Sequence, residues 1–160
     1  MKQLLLLRHA DTQDESPTNR DKDRPLTERG VEQAQYIRRY LDGNDLLPEL
    51  IISSDALRTK QTVGALDLPK IETQFTTSLY HAPAMRLFDE VFSTKNHIDR
   101  LLLVAHNPGT YELARILAGA KDDDFHAGYP TCGLSIFEWD TDSWQDIDQN
   151  TTNYHGFITV

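Results

Sequence analysis

Cysteine is almost missing from this 160-residue chain. Cys132 stands alone, which excludes an intrachain disulfide framework and any thiolate zinc cluster. Long hydrophobic runs are missing as well. No apolar stretch approaches the roughly 18 residues of a membrane span, and the run that opens the chain, Leu4 to Leu7, is too short for the core of a secretion signal. Eight glycines, seven prolines and no biased tract exclude a collagen-like fibre, wholesale disorder and a many-repeat solenoid. Positive charge is scarce: 16 basic residues face 25 acidic ones, for a net charge of −9. Without a basic stripe, neither nucleic acid nor an anionic membrane is expected as the main partner. A few converging arginines can still reverse the local field around an anionic substrate. The lone cysteine and the lack of an export signal lead to the expectation of a cytoplasmic protein.

What is present suits one domain over residues 1–160, long enough to bury a core and 39% hydrophobic. The apolar runs Leu4–Leu7, Leu50–Ile52 and Leu101–Ala105 are short and continuous, as in strands buried on both faces of a parallel sheet. Helical patterns lie between them. Thr27 is an N-cap, Val31, Ala34, Ile37 and Leu41 share one face, and Gly43 closes that helix. A second helix is expected to start after Ser54 or Asp55 and run to about Leu66, and a third over Pro83 to Phe92. A fourth opens with Asn107 as N-cap and Pro108 at the first position, ending near Gly119. Ile71–Phe75 alternates like a strand, and Gly133–Trp139 and Gly156–Val160 read as antiparallel edge strands. The order predicts a three-layer α/β domain, a mostly parallel sheet with helices on both faces.

The chemistry is expected at the carboxyl ends of these strands, where open α/β sheets bind ligands. His9 follows the first run, with Arg8 beside it, and His106 follows the Leu101–Ala105 run. A lone histidine at a strand end is more often structural; two at strand-to-helix junctions shift the balance. Arg58, one turn into the second helix, reaches the same edge. Arg24 lies in the polar loop Asp21-Lys22-Asp23-Arg24-Pro25. Arginine forks suit phosphate oxygens, so Arg8, Arg58 and the two imidazoles together could neutralise a phosphoryl group. Nucleotide-binding glycine loops and the Gly-x-Ser-x-Gly elbow are missing. His97, His126 and His155 are dispersed and read as surface residues, and Asp122-Asp123-Asp124 as a solvated loop.

Four blocks carry a family resemblance. Leu7-Arg8-His9-Ala10 resembles the signature of the histidine phosphatase superfamily. Asp21 to Gly30, Ser54 to Thr62 and His106-Asn107-Pro108-Gly109 are similar to its SixA-type phosphohistidine phosphatases. The resemblance runs from residue 4 to about 119, and the residues after that have no distinctive match. It implies that His9 is the nucleophile that becomes phosphorylated, with Arg8, Arg58 and His106 completing the phosphate pocket. It places Asp21 and Arg24 at the pocket mouth as phosphate or substrate contacts. Neither a metal nor any other cofactor is implied, because the arginines supply the charge.

One departure bears on the substrate. Many superfamily members carry a carboxylic acid after the third strand to protonate the leaving group, whereas this chain reads Ser78-Leu79-Tyr80-His81-Ala82. Tyr80 and His81 are candidate proton donors; a pocket-wall tyrosine and an incidental histidine are the plainer alternative. With short connections around the site, the expected substrate is a phosphorylated protein, including a histidine-phosphorylated phosphotransfer protein. Two alternatives stay open: a phosphomonoesterase for a small metabolite or phosphoserine, and a non-catalytic phosphate-binding module.

Overall fold

The computed structural model describes residues 1–160, apart from the side chains of residues 120 and 122, so Asp122 of the acidic triplet lies outside the described residues. The strands are β1 (Lys2–Arg8), β2 (Leu50–Ser54), β3 (Glu72–Thr76), β4 (Arg100–Ala105), β5 (Leu134–Trp139) and β6 (Asn153–Ile158). The main helices are α1 (Glu28–Gly43), α2 (Leu57–Leu66), α3 (Ala84–Phe92) and α4 (Gly109–Ala118). The sheet order is β3-β2-β4-β1-β5-β6. The first four strands in that order are parallel; β5 pairs antiparallel with β1, and β6, antiparallel to β5, forms the edge. Among the described residues, no helix is long and apolar enough to cross a membrane.

Alternation along the central strands explains why their runs are apolar without a break. Leu5, Leu7, Ile51, Leu102 and Val104 pack with Ala34, Ile37 and Leu41 of α1 and Leu66 of α2. Leu4, Leu6, Leu50, Ile52, Leu101 and Leu103 pack on the other face with Leu87 and Val91 of α3 and Leu113 and Leu117 of α4. Both faces of the sheet are covered, which gives the three layers. Trp139 and Trp144 are buried within this second face.

Three details differ from the sequence expectation. β5, expected at an edge, lies inside the sheet between β1 and β6, and the edge opposite β6 is β3. Val31 is 38% exposed, and Gln33 is buried in its place. The Gln33 amide is satisfied there, accepting from the Asp11 amide at 2.9 Å and donating to the Thr131 hydroxyl at 3.3 Å. Asn107 does not cap α4. The Asn107–Pro108 peptide is cis and α4 begins at Gly109, while the Asn107 side chain donates instead to the Tyr129 carbonyl at 2.9 Å. Thr27 does cap α1, its hydroxyl accepting from the Gly30 amide at 3.0 Å.

Two glycines press helix starts against the site loops. A Cβ on Gly30 would lie 2.2 Å from the Asp11 carbonyl, and one on Gly109 would lie 2.0 Å from the Ala82 carbonyl. Close backbone approach requires glycine at both.

Candidate active site

His9 leaves the end of β1 and is buried. Its backbone is clamped on two sides, its amide donating to the Ala105 carbonyl at 3.1 Å and its carbonyl accepting from the Cys132 amide at 3.0 Å. Its ring Nδ1 lies 2.8 Å from the Ala10 carbonyl oxygen. A carbonyl only accepts, so Nδ1 carries the proton and Nε2 keeps its lone pair. Burial, reinforced by the charges of Arg58, Arg8 and Arg24, pushes the ring's pKa down to about 4 against the upward pull of the Ala10 bond. At neutral pH this imidazole is uncharged, and its Nε2 lone pair is available.

His106 stands at the end of β4, with its ring centroid 5.2 Å from that of His9. Arg58 Nε donates to His106 Nδ1 at 3.3 Å, so the proton of His106 sits on Nε2, which donates to Ser54 Oγ at 2.8 Å. Burial, with His9 and Arg58 nearby, pushes its pKa down to about 2. Both rings are therefore neutral, and the positive field of the pocket comes from the arginines. Ser54 acquired no role from the sequence; its position at the end of β2, beside the end of β4, is what gives it one.

Arg58 is buried on α2 and is held by three hydrogen bonds. Besides the bond to His106, Nη1 donates to the Asp21 carbonyl at 2.8 Å and Nη2 to Asp21 Oδ2 at 3.0 Å. Of its five N–H groups, one on each terminal nitrogen remains for a phosphoryl oxygen. Arg8 donates from Nη1 to the Tyr129 carbonyl at 2.8 Å, and its buried Nε has no partner. Burial and the neighbouring Arg58 both push the Arg8 pKa downward. Two guanidiniums crowded together with donors to spare make a site that favours an anion.

Asp21 closes the mouth of this pocket as a hub. Its Oδ2 accepts from Tyr80 Oη at 2.6 Å as well as from Arg58, and His81 Nε2 lies 3.1 Å away. Its Oδ1 accepts from Arg24 Nη1 at 3.2 Å. The Tyr80 hydrogen bond, then those of His81 and Arg24 and the charge of Arg58, hold the carboxyl far below the usual carboxylate range. Tyr80 moves the opposite way, its pKa raised by burial and by the bond to Asp21. Arg24 also donates to the Gln13 carbonyl and the Thr12 hydroxyl, both at 2.7 Å, and so braces the loop that carries Asp21. His81 has a left-handed backbone (φ 50°), uncommon for a residue with a side chain, and its ring centroid lies 5.4 Å from that of His106. Outside the mouth, Asp14, Arg20, Asp21 and Arg24 help line an open basin of about 380 Å³.

Every residue singled out in the sequence therefore gathers at one sheet edge: His9, Arg8, Arg58 and His106 inside, Asp21, Arg24, Tyr80 and His81 around the rim. His97, His126 and His155 lie exposed elsewhere.

Known proteins resemble the chain in sequence and in fold. A family model of the histidine phosphatase superfamily (branch 1) matches residues 4–80. An uncharacterised chloroplastic protein of Arabidopsis thaliana is 29% identical over 158 residues, covering 91% of this chain and 70% of its own. A solved structure assigned as phosphohistidine phosphatase SixA from Agrobacterium tumefaciens superimposes with a TM-score of 0.85 at 24% identity, covering 99% of this chain and 98% of that one. A protein histidine phosphatase SixA complexed with tungstate superimposes with a TM-score of 0.79 at 18% identity, covering 98% and 96%. The chain is similar to histidine phosphatases in two ways, through the family model over residues 4–80 and through the fold it shares with the SixA structures.

The two depressed histidines make stability depend on pH in a definite direction. Unfolded histidines take up protons below about 6.5, whereas His9 waits until about 4 and His106 until about 2. In that window the unfolded chain binds more protons, so stability falls as pH drops below about 6.5. Urea midpoints should decline from pH 7 to pH 4.5, and His106→Asn, which stays neutral, should flatten part of the decline. An unchanged slope in that variant would contradict the buried neutral ring.

Proposed function

We propose that the chain hydrolyses phosphoryl groups through a covalent phosphohistidine on His9 and that its preferred substrate is phosphohistidine on a protein. The observation that carries this reading is the pinned tautomer of His9, a neutral Nε2 lone pair in a buried site beside Arg8 and Arg58. Nε2 attacks phosphorus in line, the spare donors of the two arginines hold the equatorial oxygens, and the leaving group departs toward the mouth. Water then attacks the phosphorylated His9, the P–N bond breaks back to Nε2, and inorganic phosphate leaves. The arginines carry the charge compensation, so the reaction as proposed needs no metal.

The leaving group decides the substrate class. An alkoxide needs a proton in the transition state, worth ~10²–10⁴-fold. The rim offers a poor acid: Asp21 is held ionised, and the Tyr80 proton is committed to it. An imidazole leaves more easily, because a ring with a pKa of ~6.5 is readily protonated before it departs. The open mouth suits a phosphate displayed on a protein surface, and the name of the tungstate-bound relative is consistent with that choice.

The phosphomonoesterase alternative rests on one observation, His81 turned toward the pocket with an exposed ring that could donate a proton. The test is kcat/KM for matched phosphohistidine and phosphoserine peptides. Phosphohistidine should be favoured by ~10²-fold or more. Tyr80→Phe and His81→Ala should not lower the phosphohistidine rate more than the phosphoserine rate. A ratio near one, or in favour of phosphoserine, would promote the alternative, and binding without phosphate release would leave only a binding module.

A further inference from the structure

The rim places the carboxylate of Asp21 at the pocket mouth, bonded to Arg58. Asp21 is 44% exposed on its side chain, yet Arg58, Arg24, Tyr80 and His81 all converge on it. Three of these meet Oδ2 and only Arg24 meets Oδ1. A carboxylate has about four acceptor positions, so Oδ1 keeps one for an incoming donor. The neighbouring Lys22–Asp55 pair, at 2.8 Å, is tied to Thr77 through Asp55 and sets the Lys22 ammonium 5.4 Å from the Tyr80 ring centroid.

We propose that Asp21 is the residue that selects nitrogen leaving groups, its free Oδ1 position accepting the ring N–H of a protonated phosphohistidine. This rests on the phosphatase reading above. The chemistry balances without an added acid. The substrate imidazole carries phosphorus on one nitrogen and a proton on the other, the latter hydrogen-bonded to Asp21. The lone pair of His9 Nε2 forms the new P–N bond, and the substrate P–N bond breaks with its electrons returning to the departing nitrogen. The leaving group is then neutral imidazole, its one proton already in place. The carboxylate keeps that ring protonated before cleavage, since an unprotonated ring would have to leave as an imidazolide anion. The same carboxylate repels the negative charge that develops on a departing alkoxide, and so opposes alcohol phosphates.

The test compares two substrates in the full-length protein, a phosphohistidine peptide and p-nitrophenyl phosphate, whose leaving group departs as a stable anion without a proton. Asp21→Asn should lower the phosphohistidine-to-nitrophenyl ratio of kcat/KM on the order of 10-fold, the scale of a lost hydrogen bond to a charged group. Asp21→Glu, which retains the charge, should recover part of the ratio. Equal losses on both substrates would make Asp21 a brace for Arg58 and would overturn the inference alone. A wild-type protein that does not prefer phosphohistidine to phosphoserine would overturn the proposed function, and this inference with it.

Discussion

Arg58→Ala is expected to lower kcat/KM by ~10²–10³-fold, the usual cost of removing a preorganised donor from a site of developing charge. The geometry argues for the upper part of that range. Arg58 holds His106 through Nε and Asp21 through both terminal nitrogens, so its loss removes positive charge and releases a carboxylate beside the phosphoryl position. Arg58→Lys should restore only part of the activity, because an ammonium cannot fork between two oxygens or keep the Nε contact to His106. Steady-state kinetics with p-nitrophenyl phosphate would show this without depending on the natural substrate. Full activity in either variant would place Arg58 outside the reacting centre.

His9→Asn should be more severe, with turnover reduced by at least ~10⁴-fold, as when a nucleophile that works with its surroundings as a unit is removed. Asparagine retains an N–H that can reach the Ala10 carbonyl but offers no nucleophilic nitrogen. Arg8 and Arg58 remain in place, so tungstate should still bind within ~10-fold of the wild-type affinity by calorimetry. A variant that turned over normally would exclude His9 as nucleophile. One that bound no oxyanion would mean that the ring's main task is to shape the pocket.

The parts of this protein written in contiguous residues were legible from sequence. Leu4–Leu7 and Leu101–Ala105 became the central parallel pair because unbroken apolar runs fit strands covered on both faces. His9 and His106, just beyond those runs, come together as their positions in the sequence suggest. Side chains whose neighbours come from afar were harder to read. Gln33 is polar but buried, because Asp11 and Thr131 meet it from other loops. Asn107 resembles a helix cap, yet Tyr129 claims its side chain. The same Tyr129 carbonyl anchors Arg8, and a backbone oxygen from a segment without a distinctive motif leaves no sequence signal. The Asp21 hub joins residues about sixty positions apart, so neither its ionised state nor the committed Tyr80 proton could be foreseen.

The central claim is that a phosphoryl group rests covalently on His9. Rapid quenching of the wild-type protein with a phosphorus-labelled substrate should trap a phosphoprotein that survives alkali and is lost in acid, with the label mapped to the peptide containing His9 and missing in His9→Asn. Label on a serine, a threonine or an aspartate, or label that persists in His9→Asn, would contradict it.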